Sequence, residues 1–266
     1  MNTNQQIIEN YNNPNYSVMQ SINYSQLINI NGPENFIYFD DPLIELSQST
    51  YSIIRQPIEC LTYCTECCLE NSYDVFIKSL NQLKYAFKCN EKSTCCSRSC
   101  CTQGCRGFDM QIIHVTSIIE LKKNISKPFI QISKSCGCEC CCSNKPIIEV
   151  TMINIGKFLG MIKSDSSCCS TPCIEIYDSF KNLRYIIVGE SCQTGICRPL
   201  GNKLSDVNYK IKNNNIEVGS LTQLGTSLGK FFSKGDSYQL NFPLNSTPEE
   251  KMLLIVASVL MDYLLF

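Results

Sequence analysis

The chain lacks an excess of charge of either sign: 23 lysines and arginines face 24 aspartates and glutamates, a net charge of −1. No global field draws it to nucleic acid, and no basic stripe appears, which excludes a nucleic-acid binder. Charged residues make up only 18% of the 266 residues, low for a soluble protein. There is one histidine, His114. No GxSxG elbow, phosphate-cradling glycine loop or HExxH helix accompanies it, so conventional enzyme chemistry has little support. A lone histidine with no acid pair nearby in the sequence reads as structural; a Cys–His nucleophile would require a thiol beside it in space. The N-terminal stretch carries neither the basic nor the apolar segment of a secretory signal. The expectation is therefore the cytosolic side of a membrane, with thiols mostly reduced.

What is present in excess is cysteine, 20 in all. Many are adjacent, and neighbouring cysteines rarely both find partners of suitable geometry, which argues against a disulfide scaffold. Residues 1–33 are polar and rich in Asn and are expected to be disordered. Apolar character begins after Gly32-Pro33, placing a domain over 34–266. Within it a weak helical candidate spans Leu43–Ile54.

Strand-like runs bounded by turn signals follow: Tyr73–Ile77, Phe108–Val115, Ile147–Ile153, Phe158–Ile162, Ile174–Tyr177, Leu183–Val188, Val207–Ile211, Ile216–Val218 and Tyr238–Phe242. The apolar doublet within Phe108–Val115 suggests a bulge. So many short strands without interleaved helices predict an all-β sandwich or barrel.

The chain closes on a predicted helix, 249–266, with Thr247 as cap, Pro248 at the first helical position and Glu249 and Glu250 at its positive end. Met252, Leu253, Leu254, Ile255, Val256, Val259, Leu260, Leu264, Leu265 and Phe266 make it apolar all round, interrupted only by Ser258 and Asp262. Such a helix belongs inside protein or lipid. The run from Met252 extends about 22 Å, short of a ~30 Å hydrocarbon core. That shortfall, with Asp262, favours a helix threaded through a barrel of more than eight strands over a tail anchor.

Several motifs in one order resemble the phospholipid scramblase family. They are Gln56-Pro-Ile-Glu-Cys-Leu-Thr62, Cys95-Cys-Ser-Arg-Ser-Cys-Cys101, Arg106-Gly-Phe108, the run Cys136–Cys142 before Ile147–Val150, Gly160-Met-Ile162, Gly189-Glu-Ser-Cys192, Phe242-Pro-Leu244 and the ending Leu260–Phe266. The resemblance covers roughly residues 39–266. It implies a tubby-like fold, a closed antiparallel barrel of about twelve strands enclosing the C-terminal helix. It also implies ATP-independent, bidirectional movement of membrane phospholipids, stimulated by calcium, at the cytoplasmic face of the plasma membrane. An acyl-anchored adaptor that binds partners or headgroups without transport is the alternative. Protein partners and self-association are left open by the sequence.

The same resemblance marks Cys136, Cys138, Cys140, Cys141 and Cys142 as palmitoylation candidates, and exposed thiols on a loop between strands suit thioester acylation. Zinc binding, for which Cys64-x-x-Cys67 also has suitable spacing, and an unmodified surface loop stay open. The clusters Cys60–Cys68, Cys95–Cys105 and Cys168–Cys173 carry no assigned role. Calcium is the point of departure. Where the family has an acid-rich segment before the terminal helix, only Asp236 keeps a carboxylate; Lys234, Asn245 and Thr247 replace acids. Calcium needs six to eight oxygens, so the site is expected to be degraded.

Overall fold

Alternating apolar residues make most of the predicted runs two-faced, and the computed structural model closes them into one antiparallel sheet. It describes residues 41–57, 70–79, 82–93, 107–116, 121, 126–134, 147–164, 173–189, 206–224 and 237–264, apart from the side chains of Asp262 and Leu264. A single helical turn, α1 (Ile44–Ser47), leads into β1 (Ser49–Arg55). Then come β2 (Ser72–Ser79), β3 (Gln82–Lys92), β4 (Phe108–His114), β5 (Pro128–Lys134), β6 (Ile147–Met152) and β7 (Lys157–Ser164). The second half comprises β8 (Cys173–Asp178), β9 (Leu183–Gly189), β10 (Val207–Asn213), β11 (Ile216–Gln223), β12 (Ser237–Asn241) and the helix α2 (Pro248–Leu264).

Each strand pairs with its neighbours in sequence, and β1 pairs with β12, so the barrel has no free edge. One face of each strand points inward. Ile148, Val150 and Met152 of β6, and Val207, Tyr209 and Ile211 of β10, are buried while the intervening positions are more exposed. The doublet Ile112/Ile113 marks a register shift between β4 and β5, as a bulge requires.

The helical candidate Leu43–Ile54 is corrected: only the turn α1 is helical, and Ser49–Arg55 is strand. The β-branched Thr50, Ile53 and Ile54 suit a pleated surface, and pairing on both sides with β2 and β12 closes the barrel. Strands β3 and β5 add to the runs read from the sequence. The expected boundary near residue 34 lies outside the described residues.

The helix α2 fills the barrel. From Met252 to Met261 every side chain is buried, and so are the inward faces around it. The one hydroxyl in that stretch is satisfied locally, since Ser258 Oγ donates to the carbonyl of Leu254 at 2.8 Å. Its N-terminus is a capping box. Glu250 N–H donates to Thr247 Oγ1 at 3.2 Å, and Thr247 N–H donates to Glu250 Oε2 at 3.0 Å. At about 1.5 Å per residue α2 spans about 25 Å, close to the reach of a seven-residue strand. Among the described residues no helix is long and apolar enough to cross a membrane.

Candidate functional site

An up-and-down barrel sorts its connections by end. The links β1–β2, β3–β4, β5–β6, β7–β8, β9–β10 and β11–β12 all leave and re-enter at one end, where α2 also finishes. Every cysteine except Cys89 and Cys173 belongs to one of these links, and Cys173 begins β8 at the same end. The described strand ends that flank these links therefore all lie at one rim. Cys136, Cys138, Cys140, Cys141 and Cys142 themselves lie outside the described residues, as do the Cys60–Cys68 and Cys95–Cys105 clusters. Cys89 is different: it is buried in the core, where burial and then the charge of Asp74 push its thiol pKa up. Such a thiol is inert toward acylation or attack.

At this rim α2 is pinned by its last turn. Tyr263 packs against Phe108, with ring centroids 4.5 Å apart, and meets Tyr73 edge-on. Its hydroxyl donates to the buried carboxylate of Glu91 at 2.9 Å. Glu91 also accepts the Asn71 N–H at 3.3 Å and the Ser93 hydroxyl. Burial, with the charge of Glu91, raises the Tyr263 pKa well above the ordinary tyrosine value, so the phenol stays a donor. Beside it opens a recess of about 500 Å³ lined by Glu70, Lys92, Ser93, Gly107, Phe108, Asp109 and Lys134. Lys92 bridges to Glu70 at 3.2 Å, and Ser133 donates to Asp109 at 2.7 Å. The recess carries two cations and two carboxylates around one aromatic wall, a lining that suits a zwitterionic group better than a simple anion.

The opposite end seats the start of α2. Lys251 is buried, and its Nζ donates to the carbonyls of Leu46, Ser47 and Ser49 at 2.8, 3.1 and 2.9 Å, closing the end of α1. Phe242 lies 5.6 Å below the ammonium. Burial holds the Lys251 pKa below the ordinary lysine value. Glu250 accepts Arg184 Nε at 2.6 Å and the Tyr185 hydroxyl at 3.0 Å.

Nearby, His114 is not without an acid. Its Nε2–H donates to Glu45 Oε1 at 3.1 Å, and Lys84 Nζ donates to the same oxygen at 2.6 Å. Burial pushes the Glu45 carboxyl up, but the hydrogen bonds from His114 and Lys84 outweigh it and hold the pKa below the ordinary value. The histidine ring lies against Phe87 and Phe129, so the group braces α1 against β3 and β4. No signal in the sequence joins residues so far apart.

A glutamate with a depressed native pKa adds stability that is complete above its unfolded pKa and lost as pH falls through the native one. Glu45→Gln is therefore expected to cost about 1–2 kcal/mol at neutral pH and to flatten the loss of stability on acidification, read from urea midpoints along a pH series.

Two of the three candidate calcium residues, Asn245 and Thr247, lie among the described residues. Asp236 lies outside the described residues, Asn245 is exposed, and the Thr247 hydroxyl is spent on the helix cap. The acids beside them are engaged too: Glu249 pairs with Lys157 at 3.0 Å and Glu250 with Arg184. Among the described residues this segment therefore presents no unpaired carboxylate to an ion that wants six to eight oxygens. Of the candidate helix residues, Met252, Leu253, Leu254, Ile255, Val256, Val259 and Leu260 are core; the Leu264 side chain, Leu265 and Phe266 lie outside the described set.

A family profile described as Scramblase matches residues 12–266. Phospholipid scramblase 1 of Homo sapiens is 26% identical over 229 residues, covering 83% of this chain and 64% of its own length. Phospholipid scramblase 1 of Mus musculus is 23% identical over 225 residues, with 83% and 62% covered. Phospholipid scramblase 2 of Bos taurus is 24% identical over 225 residues, with 83% and 70% covered. The chain thus spans less than two thirds of the length of the first two relatives. No solved structure matches it.

Proposed function

The chain belongs to the scramblase family, and from that premise we propose that it promotes ATP-independent, bidirectional movement of phospholipids between leaflets. It acts as a lipid-handling protein at the cytoplasmic face of the plasma membrane rather than as a chemical catalyst. The observation that supports this reading is that the strands flanking the cysteine-bearing links all end at the rim where α2 finishes. Palmitate on Cys136, Cys138, Cys140, Cys141 and Cys142 would seat that end on the bilayer, and several acyl chains make attachment stable where one is marginal. The lumen is occupied by α2, so lipid does not pass through the barrel. Movement runs instead along the rim, where the recess between Lys92, Lys134, Glu70 and Asp109 offers both signs of charge to a phospholipid headgroup.

The burial of α2 supports a second reading, an acyl-anchored adaptor without transport, because the helix is committed to the core. Reconstitution separates the two. With the purified chain in liposomes, inner-leaflet fluorescent phospholipid is expected to become open to an external quencher faster than in empty liposomes, equally with millimolar calcium and with chelator. No exchange with membrane binding intact would leave the adaptor. In cells, serine at the five positions from Cys136 to Cys142 is expected to move most of the protein from the membrane fraction to the supernatant; unchanged fractionation would remove the acyl anchor from the reading.

A further inference from the structure

The end of the barrel opposite the cysteine rim has its own pattern. Its turns carry large apolar side chains that the core does not use: Ile153 and Ile155 between β6 and β7, Phe180 between β8 and β9, Ile216 at the start of β11, and Leu244 between β12 and α2. Phe180 is 84% and Leu244 97% exposed. Solvated apolar residues are ordinary when scattered. Here they occupy successive connections around one rim, each hairpin about 10 Å from the next, two strand spacings apart.

The tips are rigidly presented. Asp178 Oδ1 accepts the N–H groups of Phe180 and Asn182, both at 2.9 Å, and Lys181 takes a left-handed conformation at φ 65°. Asn214 and Asn215, at φ 49° and 65°, make the β10–β11 turn a tight hairpin. Lysines flank the apolar tips. Lys181 adjoins Phe180 and Lys212 precedes the β10–β11 turn, and neither forms an ion pair among the described residues. The nearby acids are engaged: Asp178 holds its turn, Glu217 faces Lys210 at 4.0 Å, and Glu249 pairs with Lys157.

We propose that these tips form a second lipid-docking surface, inserting Ile155, Phe180, Ile216 and Leu244 into the interface of an anionic bilayer while Lys181 and Lys212 meet its headgroups. Separate protruding side chains would require matching pockets on a protein partner, whereas a bilayer accepts them as they stand. Unengaged lysines beside the tips complement anionic phospholipid. This docking needs no acyl group and goes beyond the acyl-anchored reading. Because the two rims point apart, a chain held at the cysteine rim offers the tips to a second, apposed membrane.

The test uses full-length unacylated protein carrying serine at the five positions from Cys136 to Cys142, so failure of the acyl anchor does not bear on it. Vesicles of phosphatidylcholine with roughly 30 mol% phosphatidylserine are expected to sediment this protein, less so as salt rises, while pure phosphatidylcholine vesicles bind it weakly. Combined Ile155→Ser, Phe180→Ser and Leu244→Ser substitutions, all at exposed positions, are expected to lower partitioning about tenfold or more with an unchanged thermal midpoint. Lys181→Glu with Lys212→Glu should remove the preference for phosphatidylserine. The proposal is overturned if the parent protein does not bind anionic vesicles or if the triple variant binds as the parent does. It is equally overturned if sedimentation velocity shows that the triple substitution abolishes a dimer instead, which would make a second copy the occupant.

Discussion

Truncation after Thr247 is expected to abolish the folded barrel, leaving a chain with no cooperative thermal transition and no near-ultraviolet circular dichroism. Residues Met252–Met261 occupy the lumen, and without them the inward side chains of twelve strands would enclose a void or collapse. A domain typically has about 5–15 kcal/mol of net stability, less than the loss of a whole layer of core contacts. Single substitutions grade the effect. Leu254→Ala is expected to cost about 2–5 kcal/mol, and Val256→Asp, an unpaired charge amid hydrocarbon, to prevent folding outright. A helix serving as a tail anchor would behave otherwise, with truncation releasing an intact, soluble barrel. That outcome would overturn the core assignment.

Gly160→Ala is expected to destabilise the protein by about 3 kcal/mol or more, read from urea unfolding. A Cβ at this position of β7 would stand 2.2 Å from the carbonyl oxygen of Tyr177 and 2.8 Å from Leu253 Cδ1. The carbonyl belongs to the paired strand β8 and cannot retreat without opening the ladder. The leucine belongs to α2, which comes so close to the wall here that only a hydrogen fits. Gly156 in the β6–β7 turn is the control. It has open space around it and φ +63°, so alanine there meets only backbone strain, about 1–2 kcal/mol. Equal effects at the two positions would show that the close contacts of Gly160 with β8 and α2 do not set the cost.

The legibility of the fold follows its local signals. Strands such as β6 and β10 alternate cleanly because one face meets α2 and the other meets water, and that period of two is written in neighbouring residues. The start of α2 was readable for the same reason, since its capping residues lie within four positions. Strand β1 misled because Leu43, Leu46 and Ile54 also fit a helical spacing; its partners β2 and β12 lie at separate points along the chain. The brace of Glu45 with Lys84 and His114 was illegible, as nothing local ties a glutamate to a histidine three strands away. Lys251 sits in the first turn of α2, and only the placement of α1 makes it a donor to three carbonyls.

By itself the sequence determined what depends on short range and composition: alternating strands, a capped apolar helix, cysteines in runs, and motifs that place the chain in its family. The tertiary structure decided where those parts lie. An apolar helix gains as much by leaving water for lipid as for a protein core, so its hydrophobicity alone does not choose between them. The closure of β1 on β12 chooses, because it makes a lumen that the helix must fill. The antiparallel order of successive strands alternates their connections between two ends, so the strand ends that flank the cysteine-bearing links lie at one rim and Phe180 and Leu244 at the other.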